Sequence, residues 1–357
     1  MSTLPSSALP DASAPSFFGL SRARLGERLA SLGLPAYRAT QLFTWAYRKH
    51  QLDPLAMANL PLALRRELGR VADLRLPRTA RILADPSGDT HKFALELSDG
   101  RQVECVSMRA ERGLTFCLSS QVGCALRCSF CATGLMGLQR NLTAAEIVAQ
   151  VLIMGDFLRW ADNGFNLVFM GMGEPLANYD AVMEAVRILH DERGLNVGAR
   201  RITVSTVGLV PGMERLAGEG LALGLALSLH AATDEVRDQL VPVNRRWPLR
   251  ELLPVAQAYG LRTGRRVTLE YTLIEGINDS PADAERLAAI ARDLPSKINL
   301  IPYNPVPGLP YRRPSAEAMQ AFAEWLYPRA PAVTLRHTQG GEIWAACGQL
   351  AGLDPQT

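Results

Sequence analysis

The 357-residue sequence predicts an α/β protein built on a parallel sheet, with a small helical module in front of it. Three observations point there. Six strand-like runs, near 114–118, 165–170, 201–205, 223–228, 267–273 and 297–302, are separated mostly by amphipathic stretches of helix length. Motifs rich in Cys, Gly, Ser and His fall at or just after the ends of those runs, where βα folds collect their sites. Before them, apolar residues recur at helical spacing between prolines. Periodicity leaves open whether the sheet is a doubly wound one or a partial barrel.

In chain order, residues 1–18 are rich in Ser, Pro and Ala and offer little to bury, so they are expected to be a disordered tail. Residues 19–85 form the helical module: Leu25, Leu29 and Leu32, then Leu42, Phe43, Ala46 and Tyr47, then Leu64, Leu68 and Val71 mark apolar faces broken at Pro35, Pro54 and Pro61. Net charge is only +3, but Arg22 to Arg81 holds twelve Arg or Lys against four acids, a local excess of eight that leaves the rest acidic by five. A module this basic suits a polyanion, although solvated helix faces are often basic too. Residues 86–113 read as linker strands, with 90–97 and 101–108 joined at Asp99-Gly100, a tight hairpin signal. The core spans 114–336 and ends in a helix near 314–328 and a strand near 331–336. Residues 337–357 are a C-terminal loop and tail, opened by His337-Thr-Gln-Gly-Gly341, whose paired glycines should make it mobile.

Composition excludes several classes. Hydrophobic residues at 48% and charged ones at 20% suit a chain that buries a sizeable core, not one disordered throughout. No run approaches the roughly 18 to 20 apolar residues of a membrane helix, and the start lacks a secretion signal. The expected setting is therefore cytoplasmic, without a membrane partner, and nothing demands more than a monomer.

Six cysteines in a reducing compartment suggest metal or redox chemistry before disulfides. Cys124, Cys128 and Cys131 make a C-x3-C-x2-C run in one Gly-flanked loop, with no second Cys pair or His pair beside it to complete a four-ligand zinc site. Three close thiolates suit an iron-sulfur cluster whose remaining iron is open to a non-protein ligand.

This run, Cys124-Ala-Leu-Arg-Cys128-Ser-Phe-Cys131, resembles the radical S-adenosylmethionine (SAM) superfamily. The resemblance implies a [4Fe-4S] cluster held by those three residues and a core folded as a partial (β/α)6 barrel. Within the superfamily, the chain is similar to the dual-specificity RNA methyltransferases, which act on C2 of adenosine in 23S rRNA and in tRNA. The matching passages are Val103-Glu-Cys-Val106, Phe116-Cys-Leu-Ser-Ser-Gln-Val-Gly-Cys124, Phe169-Met-Gly-Met-Gly-Glu-Pro175, Thr203-Val-Ser-Thr206, Ser228-Leu-His230, Asn299-Leu-Ile-Pro-Tyr-Asn304 and Ala346-Cys-Gly-Gln-Leu350.

The same resemblance implies roles for individual residues. Gly173, Glu174, Ser205, Ser228, Leu229, His230 and Asn304 would bind SAM, with the Glu174 carboxylate suited to its ammonium. Taken alone, Ser205, Ser228, His230 and Asn304 read as caps, turn residues or a buried histidine. By the resemblance, two SAM molecules serve one turnover: Cys347 receives a methyl group from the first, and a radical derived from the second activates that methyl for attachment to adenine C2. Glu104 is the implied proton acceptor at C2, and Cys117 would release product by forming a transient disulfide with Cys347. Cys105 has no such role. The partners would be 23S rRNA, tRNA and an electron donor such as a flavodoxin system. The target adenine must leave its stack, so phosphate contacts are expected from the basic module, Arg65 and Arg66 among them, and from Arg200-Arg201, Arg245-Arg246 and Arg312-Arg313. Two rival readings remain: the related radical SAM enzyme acting at adenosine C8, and a non-enzymatic iron-sulfur RNA-binding or redox-sensing protein, in which Glu104, Cys117 and Cys347 would be idle.

Overall fold

The structure, a computed structural model, describes residues 16–110, 113–160, 164–336 and 338–351. The main sheet runs in the order β1 (Arg78–Ala84), β2 (Thr90–Glu96), β3 (Gln102–Ala110), β4 (Gly113–Cys117), β7 (Phe165–Phe169), β8 (Ile202–Thr206), β9 (Gly224–Ser228), β10 (Val267–Leu273), β11 (Ser296–Pro302) and β12 (Val333–Leu335), while β5 (Gln121–Gly123) and β6 (Leu138–Asn141) form a separate hairpin. From β4 through β12 every pairing is parallel, and β1 to β4 are antiparallel. The six predicted core strands are all present within a residue or two. Among the described residues the sheet does not close on itself, the arrangement of a partial barrel.

Helices cross over between the parallel strands. They are α5 (Ala144–Phe157), α6 (Tyr179–His190), α7 (Val210–Gly218), α8 (Asp234–Leu240), α9 (Leu249–Thr263), α10 (Pro281–Asp293) and α11 (Ala316–Leu326). Their starts are legible in local chemistry. Thr143 and Glu146 form a reciprocal capping box on α5, and Ser280 with Asp283 does the same on α10, each satisfying amide donors that a helix start leaves open.

The N-terminal module comprises α1 (Arg22–Ser31), α2 (Arg38–Phe43) with a π turn at Thr44–Arg48, and α3 (Leu62–Val71). Two boundaries need correction. Residues 1–15 of the expected tail lie outside the described residues, but Phe17 and Phe18 are 2% and 1% exposed. They are the hydrophobic exception in that segment: Phe17 stacks on Tyr47 at 5.7 Å and packs with Phe18 and Phe43, and Phe17 N donates to Asp73 O at 2.8 Å. The module also ends earlier than residue 85, because 78–84 is strand β1, pairing along β2 with a bulge between Thr79 and Arg81. Its mostly exposed residues do not alternate cleanly, with Ile82, Leu83 and Ala84 following one another; the backbone ladder to β2 makes the strand. The module docks on the core through Ser21 N to Glu184 Oε1 at 3.1 Å and an Arg22–Asp191 ion pair at 2.9 Å. No helix among the described residues is long and apolar enough to cross a membrane.

Candidate functional site

Sheet register brings the chemistry to one face. Ala94 pairs with Glu104, Lys92 with Val106 and Thr90 with Met108, and Val106 pairs in turn with Cys117. Side chains alternate along a strand, so Glu104, Met108, Cys117 and Lys92 share a face. Continuing through the parallel strands, Ser205 pairs with Ala226, and Ser228 with Glu270. Ser205 Oγ and Ser228 Oγ lie 3.3 Å apart.

The cysteine loop is pinned at its base. β5 and β6 bracket it, Cys124 N donates to Gly137 O at 3.0 Å, and a short helix α4 (Ala132–Leu135) follows Cys131. Gly123 has φ 76°, and a Cβ there would lie 1.8 Å from Gly137 O, so only glycine fits. Two bonds tie this loop to the C-terminal segment: Ala132 N to Gly348 O at 2.8 Å and the Thr133 hydroxyl to Leu350 O.

Two adjoining cavities result, sharing Cys131, Thr133, Met170, Gly171, Ile301, Cys347 and Gly348 in their walls. One, of about 140 Å³, is lined by Cys124, Cys128, Cys131, Gly173, Glu174, Ser205, Ser228, His230 and Cys347. The other, of about 120 Å³, is lined by Met108, Cys117, Asn304, Arg336 and Cys347. All six cysteines are free thiols in the structure.

Among the described residues no three His, Cys, Asp or Glu side chains are placed to hold a single metal ion; Cys124, Cys128 and Cys131 border a cavity instead. Burial pushes the Cys124 thiol up to about 11 and Cys128 well above its ordinary value, and each neighbouring thiolate opposes ionisation further. Three such thiolates need a cationic centre among them, which a [4Fe-4S] cluster in that cavity provides. The donor set therefore fits the implied cluster.

The other expected residues are placed as follows. Gly173 has φ 96° and backs on Gln121 so closely that a Cβ would sit 2.5 Å from Gln121 Cβ. Glu174 is buried and accepts from Leu176 N and Val207 N at 3.1 and 3.0 Å. Burial lifts it to about 7, with those donors opposing. His230 is buried with φ 57°; its Nδ1 accepts from Thr272 N at 3.1 Å, and burial, with the charge of Arg237, holds it near 3. It is therefore a neutral imidazole. Leu229 is fully buried and contributes backbone, its N donating to Glu270 O and its O accepting from Arg237 Nε. Asn304 stands apart from Ser205 and Ser228: it lines the second cavity, where Nδ2 donates to Cys347 O at 3.2 Å.

Cys347 is solvent-accessible yet walled by protein, and that desolvation raises its thiol while Arg336 opposes the rise. Burial pushes Cys117 up to about 12, and Cys347 adds to this. The structure brings Cys117 and Cys347 into one cavity but leaves Glu104 outside its walls. Glu104 is buried behind Leu350 and Ala351, with Oε1 3.1 Å from Lys92 Nζ and Oε2 accepting from Ala351 N at 3.0 Å. His337 lies outside the described residues.

Sequence reasoning missed four charged groups here: Lys92, Arg237, Glu270 and Arg336. Arg237, fully buried, braces the rim by donating to Leu229 O, Asn244 Oδ1 and Val207 O. Its surroundings, Asp234-Glu-Val-Arg237-Asp, read as an ordinary polar helix.

Comparison with known proteins adds the following. The Radical SAM superfamily matches residues 118–288, and the Ribosomal RNA large subunit methyltransferase N-terminal domain matches residues 16–74. A Symbiobacterium thermophilum protein named "Probable dual-specificity RNA methyltransferase RlmN" is 50% identical over 333 residues, covering 93% of this chain and 90% of its own. A Moorella thermoacetica protein of the same name is 48% identical over 338 residues, covering 93% and 96%. The crystal structure of a radical SAM methyltransferase from Sphaerobacter thermophilus matches with a TM-score of 0.90 and 50% identity, over 94% of this chain and 99% of that one.

Proposed function

Since the chain belongs to the RlmN family of radical SAM dual-specificity RNA methyltransferases, we propose that it methylates C2 of adenosine in 23S rRNA and in tRNA, with Cys347 carrying the methyl group. The observation that carries the reading is the shared cavity: Cys347 lines both the cavity with the three-cysteine loop and the one with Cys117. One thiol can thus be charged on one side and discharged on the other.

The family's cofactors are a [4Fe-4S] cluster and SAM; when bound, they supply a methyl group and, by one-electron cleavage of SAM, a hydrogen-abstracting radical. Cys124, Cys128 and Cys131 would hold the cluster, and Glu174, Ser205, Ser228, His230 and the Gly173 backbone would hold SAM beside it. Such chemistry is needed because adenine C2–H is neither acidic nor nucleophilic enough for polar methyl transfer.

Cys347 Sγ accepts the methyl group as a thiolate. After loss of a hydrogen, that carbon bonds to C2 and tethers the RNA to the protein. Glu104 then takes the C2 proton, the adduct's one unpaired electron would pass to the one-electron carrier that the cluster supplies when bound, and Cys117 Sγ attacks Cys347 Sγ; the S–S bond forms, the S–CH2 bond breaks, and its electron pair leaves with carbon, which takes up a proton as the new methyl. For Glu104 to reach the base, the Leu350–Ala351 segment covering it must withdraw.

Two variants test this. Cys347→Ala should keep the cluster absorbance and lose RNA methylation, and Cys117→Ser should accumulate a covalent RNA–protein adduct visible on a denaturing gel. Methylation at the parent rate by Cys347→Ala would defeat the mechanism.

A further inference from the structure

The cavity where Cys347 meets Cys117 contains a charge that the mechanism above does not use. Arg336 follows strand β12, its backbone N held by Leu300 O at 2.9 Å, and its side chain lines the cavity with both sulfurs. Among the described residues its guanidinium makes no hydrogen bond and no ion pair within 4.0 Å. The acid whose charge it feels, Glu270, is bonded to Asn299 Nδ2 at 2.6 Å.

The other polar side chains of that wall are engaged with protein. Thr133 donates to Leu350 O, Asn304 bonds both Cys347 O and Thr338, Thr338 also takes a bond from Arg313, and Gln339 Nε2 reaches Arg109 O at 3.5 Å. Among the described residues no aromatic ring lines the cavity, so a base entering it is held there by its edges. C2 must come within bonding reach of the carbon carried on Cys347 Sγ, and Cys117 must then reach that same sulfur. A donor in the cavity that both sulfurs line is therefore in the cavity that must take the C2 edge of the base.

Building on the methyl-transfer reading, we propose that the Arg336 guanidinium donates a hydrogen bond to N1 or N3 of the target adenine, the two ring nitrogens flanking C2. It thereby sets which carbon faces Cys347 and which base is admitted. Arginine offers only donors. In adenine both nitrogens beside C2 are acceptors; guanine carries a hydrogen on N1, which would oppose donor to donor there, and an amine on C2 that crowds the approach to N3. The cation also stabilises the electron density that builds on N1 and N3 when C2 is attacked. Arg336 is held above its ordinary value by Cys347, Glu270 and Cys117, which outweigh its burial, so it stays charged throughout.

The test pairs a protein change with an atomic change in the RNA. Short RNA substrates carry 1-deaza-, 3-deaza- or 7-deazaadenosine at the target position, and methylation is compared for the parent enzyme and Arg336→Gln. In the same preparations, peptide mass spectrometry reads methylation of Cys347 without RNA. Arg336→Gln should lower kcat/KM on RNA by on the order of ten- to a hundredfold, the range of a charged hydrogen bond. Cluster absorbance should be unchanged, and Cys347 should still become methylated to the same final extent, at a rate slowed by loss of the charge that opposes the rise of its thiol. The 1-deaza or the 3-deaza substrate should cost the parent a similar factor, that cost should shrink in Arg336→Gln, whose amide is only a neutral donor, and the 7-deaza substrate should cost nothing extra. Equal deaza penalties in parent and variant, or failure of Cys347 to become methylated at all in the variant, would overturn the assignment. If the variant does not fold, the parent alone decides: full rates on both the 1-deaza and 3-deaza substrates would overturn it too. Absence of methylated product from unmodified RNA with the parent enzyme would instead bring down the function on which the assignment rests.

Discussion

At the scale of single residues, the site depends on groups whose environment sets their state. His230 combines a left-handed backbone, full enclosure and an accepting Nδ1, so its charged form is excluded in the folded protein. Its folded value, lowered to about 3, lies below the roughly 6.5 of an unfolded histidine, so the unfolded chain binds the extra proton between those values. The stability it contributes is therefore complete above about pH 6.5 and lost as pH falls toward about 3, at most about 1.4 kcal/mol per pH unit. His230→Asn, which tolerates the same backbone, should lack that slope. Urea unfolding of the two proteins from pH 7 to 5 should show their stability difference shrinking with acidity; a constant difference would contradict the assignment. The sequence allowed a buried histidine at 230 but showed neither its left-handed backbone nor the bond to its Nδ1. Arg336, Arg237 and Lys92 are silent: a lone charge has no spacing pattern, and only strand register and loop closure reveal what it faces.

At the scale of elements, what could be read were features with local causes. The six core strands have β-rich runs and bounding turns, the β2–β3 hairpin has its Asp99-Gly100 turn, and the cysteine loop has its spacing. What escaped were β1, mostly exposed and without a clean apolar alternation, and β5 and β6, which are short and exist through their partners: β6 is four residues, mostly exposed, held by β5. Phe17 and Phe18 escaped for the opposite reason, since the Ser- and Pro-rich residues around them hid a small aromatic anchor. The β5–β6 base makes a sharp prediction. Gly123→Ala would meet Gly137 O at 1.8 Å in a left-handed backbone, forcing the base of the cysteine loop apart. We expect a local cost on the order of 3 kcal/mol and a clear loss of iron bound on anaerobic reconstitution, while the N-terminal module keeps its helical signal. Full iron loading of that variant would show that the hairpin does not position the thiols.

At the scale of the whole molecule, a basic module sits on a core whose site, on the proposed function, receives a base extruded from RNA. The structure refines which charges can face a polyanion. Arg65 is partly buried and donates to Leu55 O at 2.8 Å, while Arg312, paired with Glu275, and Arg313, bonded to Thr338, remain exposed. Arg48, Lys49 and Arg66 are exposed, with Lys49 3.7 Å over the Trp45 ring. Replacing these three with Gln should weaken RNA binding and reduce the slope of log K against log salt by about 0.7 to 0.9 for each phosphate that is no longer neutralised, leaving SAM cleavage intact. An unchanged slope would remove the module from the RNA interface. The central claim, that this fold delivers a methyl group from Cys347 to C2 of adenosine, is tested most directly by its product. Unmodified large-subunit rRNA is incubated anaerobically with cluster-loaded protein, SAM and a reductant, then digested and separated against nucleoside standards by mass spectrometry. The account predicts 2-methyladenosine; 8-methyladenosine, or no methylated adenosine despite SAM cleavage, would contradict it.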